Sequence, residues 1–253
     1  MSKDLVSQCQ AGSSLVEIMV AMVIGLLVLN GLFQIFMSNK QSYRAQDAQS
    51  RLQENARMAS VFLGENFAKA GFHQNADEDP ASIFNGSNPT LIGTNNNTDA
   101  TDLILNGTDT ITIRFQGDGN LKDCRGITVA AGVLSRNEFR VSTHNALECD
   151  NNDGSGFQTF LNDVQNIQIM YGEDTDLDGS VDQYRHAGTV TNFNDVRSVH
   201  FALLLASDAD VKPAAESKSY SLLDTTMTMP PAGSDRIQRR VIERVVALRN
   251  RLL

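Results

Sequence analysis

The chain has 253 residues, 41% of them apolar, with a formal net charge of −9. That apolar content excludes a globally disordered chain, and the acidic balance argues against a general nucleic-acid surface. Three cysteines are too few for a disulfide-dense scaffold.

From the N-terminus, Gly12-Ser13-Ser14-Leu15-Val16-Glu17 precedes an apolar run that reaches Met37. Ile18 to Leu29 holds no polar residue; Asn30-Gly31 interrupts, then Leu32 to Met37 resumes. A helix rises about 1.5 Å per residue, so roughly 20 residues cross a hydrocarbon core of about 30 Å. Residues 15–37 therefore form a candidate membrane span. Glu17 is its only charged residue. An acid inside a membrane helix costs on the order of 3 kcal/mol, which implies a partner or a task. A secretory signal has its apolar region before the cleavage site, whereas here the small residues come first. A cut after Gly12 would leave the apolar helix at the new N-terminus.

Ser38 to Ala70 contains no proline and one glycine, Gly64, and helix formers dominate. Leu52, Ala56, Ala59, Leu63 and Phe67 recur at helical spacing. The pattern predicts one helix from about Leu15 to Ala70, with Asn30-Gly31 as a soft point and Gly71 as the C-cap. His73 to Asp102 reads as loop. Beyond it Thr110–Phe115 alternates as a strand, Val133-Leu134 and Phe139–Val141 read as a hairpin about Arg136-Asn137, Ile167–Tyr171 alternates, and Val199–Leu205 reads as a central strand. The tail fits a helix (Val241, Val245, Leu248, Leu252) or a strand (Ile242, Arg244, Val246, Leu248); clustered Val and Ile favour the strand. The expected fold is α+β: a long N-terminal helix, transmembrane in its first half, packed on a mainly antiparallel sheet. The expected divisions are a leader at 1–12, the helix at 13–72 and a β-rich domain at 73–253.

Asp174-Thr-Asp176-Leu-Asp178-Gly179-Ser180-Val-Asp182 matches the first part of an EF-hand loop. Alternate carboxylates can point inward, glycine permits the bend, Ser180 offers its carbonyl, and Asp182 stands ninth. The twelfth position is Arg185 rather than the bidentate glutamate, so the predicted calcium site is weak. Hard oxygen ligands favour calcium over zinc or copper. Beyond a membrane span, Cys124 and Cys149 form an even pair suited to one disulfide in an oxidising compartment. His73, His144, His186 and His200 lack zinc spacing, and no nucleophile elbow or phosphate-binding glycine loop is present; no catalytic residue is assigned. The tail arginines are expected to be solvated or paired with the acidic body.

The Gly12–Glu17 stretch with its apolar helix resembles the type IV prepilin signal. In that family a peptidase cuts after the glycine, methylates the new amino group and leaves a glutamate fifth; Glu17 is fifth counted from Ser13. The family usually begins with Phe, and here Ser13 stands in that place. Gln53-Glu54-Asn55-Ala56-Arg57, Ala70-Gly71-Phe72, the Tyr171–Gly179 stretch and Val246-Ala-Leu-Arg-Asn250 resemble PilW-type minor pilins. The resemblance implies a structural, non-enzymatic subunit that is inserted in the inner membrane and then built into a pilus, near its tip. Its implied partners are the prepilin peptidase, the inner-membrane assembly platform, other minor pilins, the major pilin and a large tip adhesin. Twitching motility, adhesion and DNA uptake would be supported indirectly, without direct nucleic-acid binding. A minor pseudopilin of type II secretion shares the same signal, and a membrane-anchored periplasmic enzyme is a third reading.

Overall fold

The computed structural model describes residues 14–75, 77–98 and 104–251. Helix α1 runs from Leu15 to Phe67 and passes Asn30-Gly31 without a break. The described residues fall into two compact units that divide between Gln46 and Asp47.

In the first unit α1 opens where Ser14 O accepts from the amides of Glu17 and Ile18. The apolar side chains from Leu15 to Met37 are exposed. Among the described residues α1 alone is long and apolar enough to cross a membrane.

In the second unit the end of α1 buries one stripe: Ala48, Leu52, Ala56, Ala59, Leu63 and Phe67. Their three- and four-residue spacing puts them on one face, as the sequence predicts. The helix stops at Phe67. Gly71 then takes φ +78°, a conformation glycine adopts without a Cβ penalty, and its amide donates to Arg114 O at 2.9 Å.

A short helix α2 (Pro80–Ile83) and strand β1 (Leu91–Asn97) follow. Both fall in the stretch expected to be loop. Asp79 caps α2 through Ala81, and β1 is recruited by pairing with β2 (Thr108–Gln116), placing Leu91 opposite Ile113. Pairing energy thus overrides the poor strand propensity of Asn-rich β1. β3 (Leu134–Val141) is one continuous strand through Arg136-Asn137, which corrects the expected hairpin there: Asn137 lies opposite Ile113 and is buried against the helix residue Asn66. With β4 (Ala146–Asp150) and β5 (Gln158–Asn162) these make an antiparallel meander in the order β1-β2-β3-β4-β5.

The second sheet has the order β11-β8-β6-β7, from β6 (Val164–Glu173), β7 (Gln183–His186), β8 (Val196–Asp210) and β11 (Ile237–Ala247). β8 is central, as its apolar run suggests. Val199, Phe201, Leu203 and Leu205 face the main core, whereas Ala202 and Leu204 form a second core with Tyr220 and Leu222 of a hairpin, β9 (Lys218–Leu222) and β10 (Thr225–Met229). Cover on both sides explains why the run does not alternate with polar residues. The tail is a strand, with Val246 and Leu248 buried. Phe67 joins the layers: its ring meets Phe139 of the first sheet edge-on at 5.6 Å and Phe201 of the second at 5.5 Å.

Candidate functional site: the signal helix and an acidic loop

Gly12 and Ser13 lie outside the described residues. Glu17 is in the first turn of α1, exposed among exposed apolar neighbours. The helix amides favour an acid in that turn.

The acidic loop joins β6 to β7. Asp174, Asp176 and Asp182 each bring one carboxylate oxygen within 4.8 Å of the others. Asp178 stays outside this group: its carboxylate accepts the Ser180 amide at 2.7 Å. The loop is wound by its own acids. Asp174 Oδ1 accepts from the Asp178 amide at 3.1 Å, and its Oδ2 from the Gly179 amide at 3.1 Å. Asp182 Oδ2 accepts from both the amide and the hydroxyl of Thr175 at 2.7 Å. Leu177 and Gly179 take positive φ, the bend for which the glycine was singled out.

Asp174 is buried, and its Oδ2 also accepts from Arg197 Nε at 2.9 Å. Burial alone would raise its pKa; the Arg197 hydrogen bond, the loop amides and the Arg197 charge together bring it below the ordinary value. The Thr175 hydrogen bonds lower the pKa of Asp182. Arg185, at the twelfth loop position, pairs with buried Glu173 at 3.5 Å and donates to Thr189 O. An all-oxygen donor set fits a hard divalent cation, but Arg197 already neutralises part of the ligand charge.

Arg197 was not singled out from the sequence, where it stands 23 residues from Asp174 with no motif linking them. Two of the tail arginines are engaged with the domain, the first in an ion pair as expected. Arg239 pairs with Asp235 and donates to Gln165 Oε1, while Arg244 donates to Ser60 O of α1 at 2.8 Å and lays its guanidinium over Gly64. Cys124 and Cys149 are joined as a disulfide, tying the loop before β3 to β4. Among the described residues no histidine belongs to a metal-ligand group.

Residues 129–250 match the family model for Type IV Pilus-assembly protein W, and residues 7–31 match the Prokaryotic N-terminal methylation motif. No curated protein matches the chain. Among solved structures it is similar to a type IV-like pilin, TTHA1219 from Thermus thermophilus, at 15% identity and a TM-score of 0.47, over 79% of this chain and 98% of that one. With the methylation motif matched at the start of its apolar helix and the pilus-assembly model matched over residues 129–250, the two matches together support a type IV pilus minor pilin.

Proposed function

We propose that this minor pilin primes assembly of a type IV pilus and sits in the complex at its tip. The carrying observation is the pairing of the two matches on one chain: a methylation motif around Glu17, and a pilus-assembly match over residues 129–250, from β3 to the end of β11. Cleavage after Gly12 frees Ser13 for methylation, and before assembly the first part of α1 holds the chain in the inner membrane. On assembly α1 packs with the helices of other minor pilins and the major pilin. Glu17 then pairs with the methylated amino terminus of a neighbour, and its charge becomes a contact rather than a burden. The distal domain carries a large adhesin, so motility, adhesion and DNA uptake depend on the subunit indirectly.

The loop around Asp174, Asp176 and Asp182 holds calcium in this reading. Its affinity falls at the weak extracellular end, about 10⁻⁴–10⁻³ M, because Arg185 replaces the bidentate acid and Arg197 shares Asp174.

The direct test is mass spectrometry of sheared, purified pili together with the phenotype of a deletion strain. The proposal expects the chain in pili with methylated Ser13 at its N-terminus, and loss of surface pili on deletion. Normal piliation with a block in protein secretion would replace it by the pseudopilin reading.

A further inference from the structure

Arg197, Arg251, Asn194, Asn250, Thr90 and Phe84 share the wall of a cavity of 310 Å³ in the strand-rich unit. Arg251 is seated there by its neighbours. A Cβ on Gly71 would come within 3.0 Å of Arg251 Cγ and 3.2 Å of Thr90 Cγ2, so the bare glycine leaves room for the arginine stem. The Arg251 carbonyl in turn receives Arg197 Nη1 at 2.6 Å.

The two guanidinium groups are unequally served. Arg197 has Asp174 on its Nε. Arg251 Nη1 is buried with no hydrogen-bond acceptor. Burial first, and then the like charge of Arg197, bring the Arg251 pKa down to about 10, against a smaller opposing effect of Asp195. The side chain nonetheless stays charged at neutral pH. A charged donor left without an acceptor in a desolvated place is costly, and a second cation beside it adds to the cost.

We propose that this cavity binds a carboxylate, with Arg251 and Arg197 as its two cationic contacts. A turn of the Arg251 guanidinium about its terminal torsions supplies Nη1 with the acceptor it lacks, and a planar guanidinium matches a planar carboxylate. Pro80, Ala81 and Phe84 line the same cavity and suit an aliphatic stem. Its volume lies at the small end of ligand pockets, about 300 Å³. Asp79 also lines the wall, with Oδ1 on the Ala81 amide, and its charge favours a singly charged guest over a phosphate dianion.

The test uses the full chain in detergent micelles, in chelator and at constant ionic strength. Acetate is expected to raise the melting temperature where acetamide, its neutral isostere, and chloride do not. Arg251→Gln is expected to weaken acetate binding about tenfold or more, the effect of losing a charge-assisted hydrogen bond, while Arg249→Gln, at an exposed position two residues away, retains it. N-acetylglutamate amide separates the sources. Binding about tenfold tighter than acetate indicates a side-chain carboxylate of a neighbouring polypeptide, and equal binding indicates a small free carboxylate. Equal responses of the wild type to acetate, acetamide and chloride overturn the proposal, as does Arg251→Gln binding acetate like the wild type. Should Arg251→Gln fail to fold, the acetate–acetamide comparison on the wild type decides alone.

Discussion

The hydroxyl of Tyr171 occupies the place that a Cβ on Gly93 would take. Gly93 lies on β1 and Tyr171 on β6, so this contact sets how closely the two sheets approach. The Tyr171 hydroxyl is buried and has no hydrogen-bond partner.

Gly93→Ala is therefore expected to destabilise the domain by about 2 to 3 kcal/mol, because Tyr171 Cζ and Thr110 O also lie 2.9 Å from the new atom. Gly86→Ala, with nothing within 4 Å, serves as the neutral control. Tyr171→Phe should be neutral or stabilising by about 1 kcal/mol, and should partly rescue Gly93→Ala. Denaturant titration of the four variants checks this; strict additivity of the two changes would break the argument.

Asp109 makes stability depend on pH. Its carboxylate is buried on β2 and accepts the amides of Asn96 at 2.8 Å and Ile169 at 2.7 Å. Burial raises its pKa to about 6, with Asp224 adding to the rise and the two amides opposing it. For an acid whose folded pKa is raised, the stabilising contribution is full below the unfolded pKa and is lost as pH rises through the folded value. Between about pH 4 and pH 7 the loss amounts to on the order of 3 kcal/mol. Asp109→Asn should flatten that part of the stability profile. An unchanged profile would place the titration elsewhere.

Calcium should raise the melting temperature of the wild type at millimolar concentration. Asp176→Ala with Asp178→Ala should abolish that response. Arg197→Gln should lower stability in chelator, because buried Asp174 loses its cation, and should enlarge the calcium response by freeing Asp174 Oδ2. Identical melting curves of the wild type in calcium and chelator would return the loop to a solvated turn.

Glu17→Ala should leave membrane insertion and cleavage intact and reduce incorporation into pili several-fold. Quantitative immunoblots of membrane and sheared fractions read this out. Incorporation at wild-type levels would remove Glu17 from docking.

Replacing Cys124 and Cys149 by alanine should lower stability by about 3 kcal/mol in the chain-entropy model, for a loop of sequence separation 25. Thermal unfolding of reduced and oxidised wild type provides the companion measurement. A loss below about 0.5 kcal/mol would show that the cross-link does not restrain the unfolded chain.

What the sequence determined by itself was local. The signal around Gly12 and Glu17, the apolar span and the buried stripe from Leu52 to Phe67 all follow from spacing within one helix, where neighbours in space are three or four residues apart. The turn at Asp174–Asp182 was legible for the same reason. Tertiary structure decided whatever depends on distant partners. β1 is a strand because β2 pairs with it, and Asn137 continues β3 because Asn66 meets it across the core. Arg197 reaches back to Asp174 while Arg251 is carried into a cavity wall beside Gly71. No periodicity encodes such meetings: each joins residues far apart in the chain, and only the packing of two sheets against one helix brings them within hydrogen-bonding or van der Waals reach.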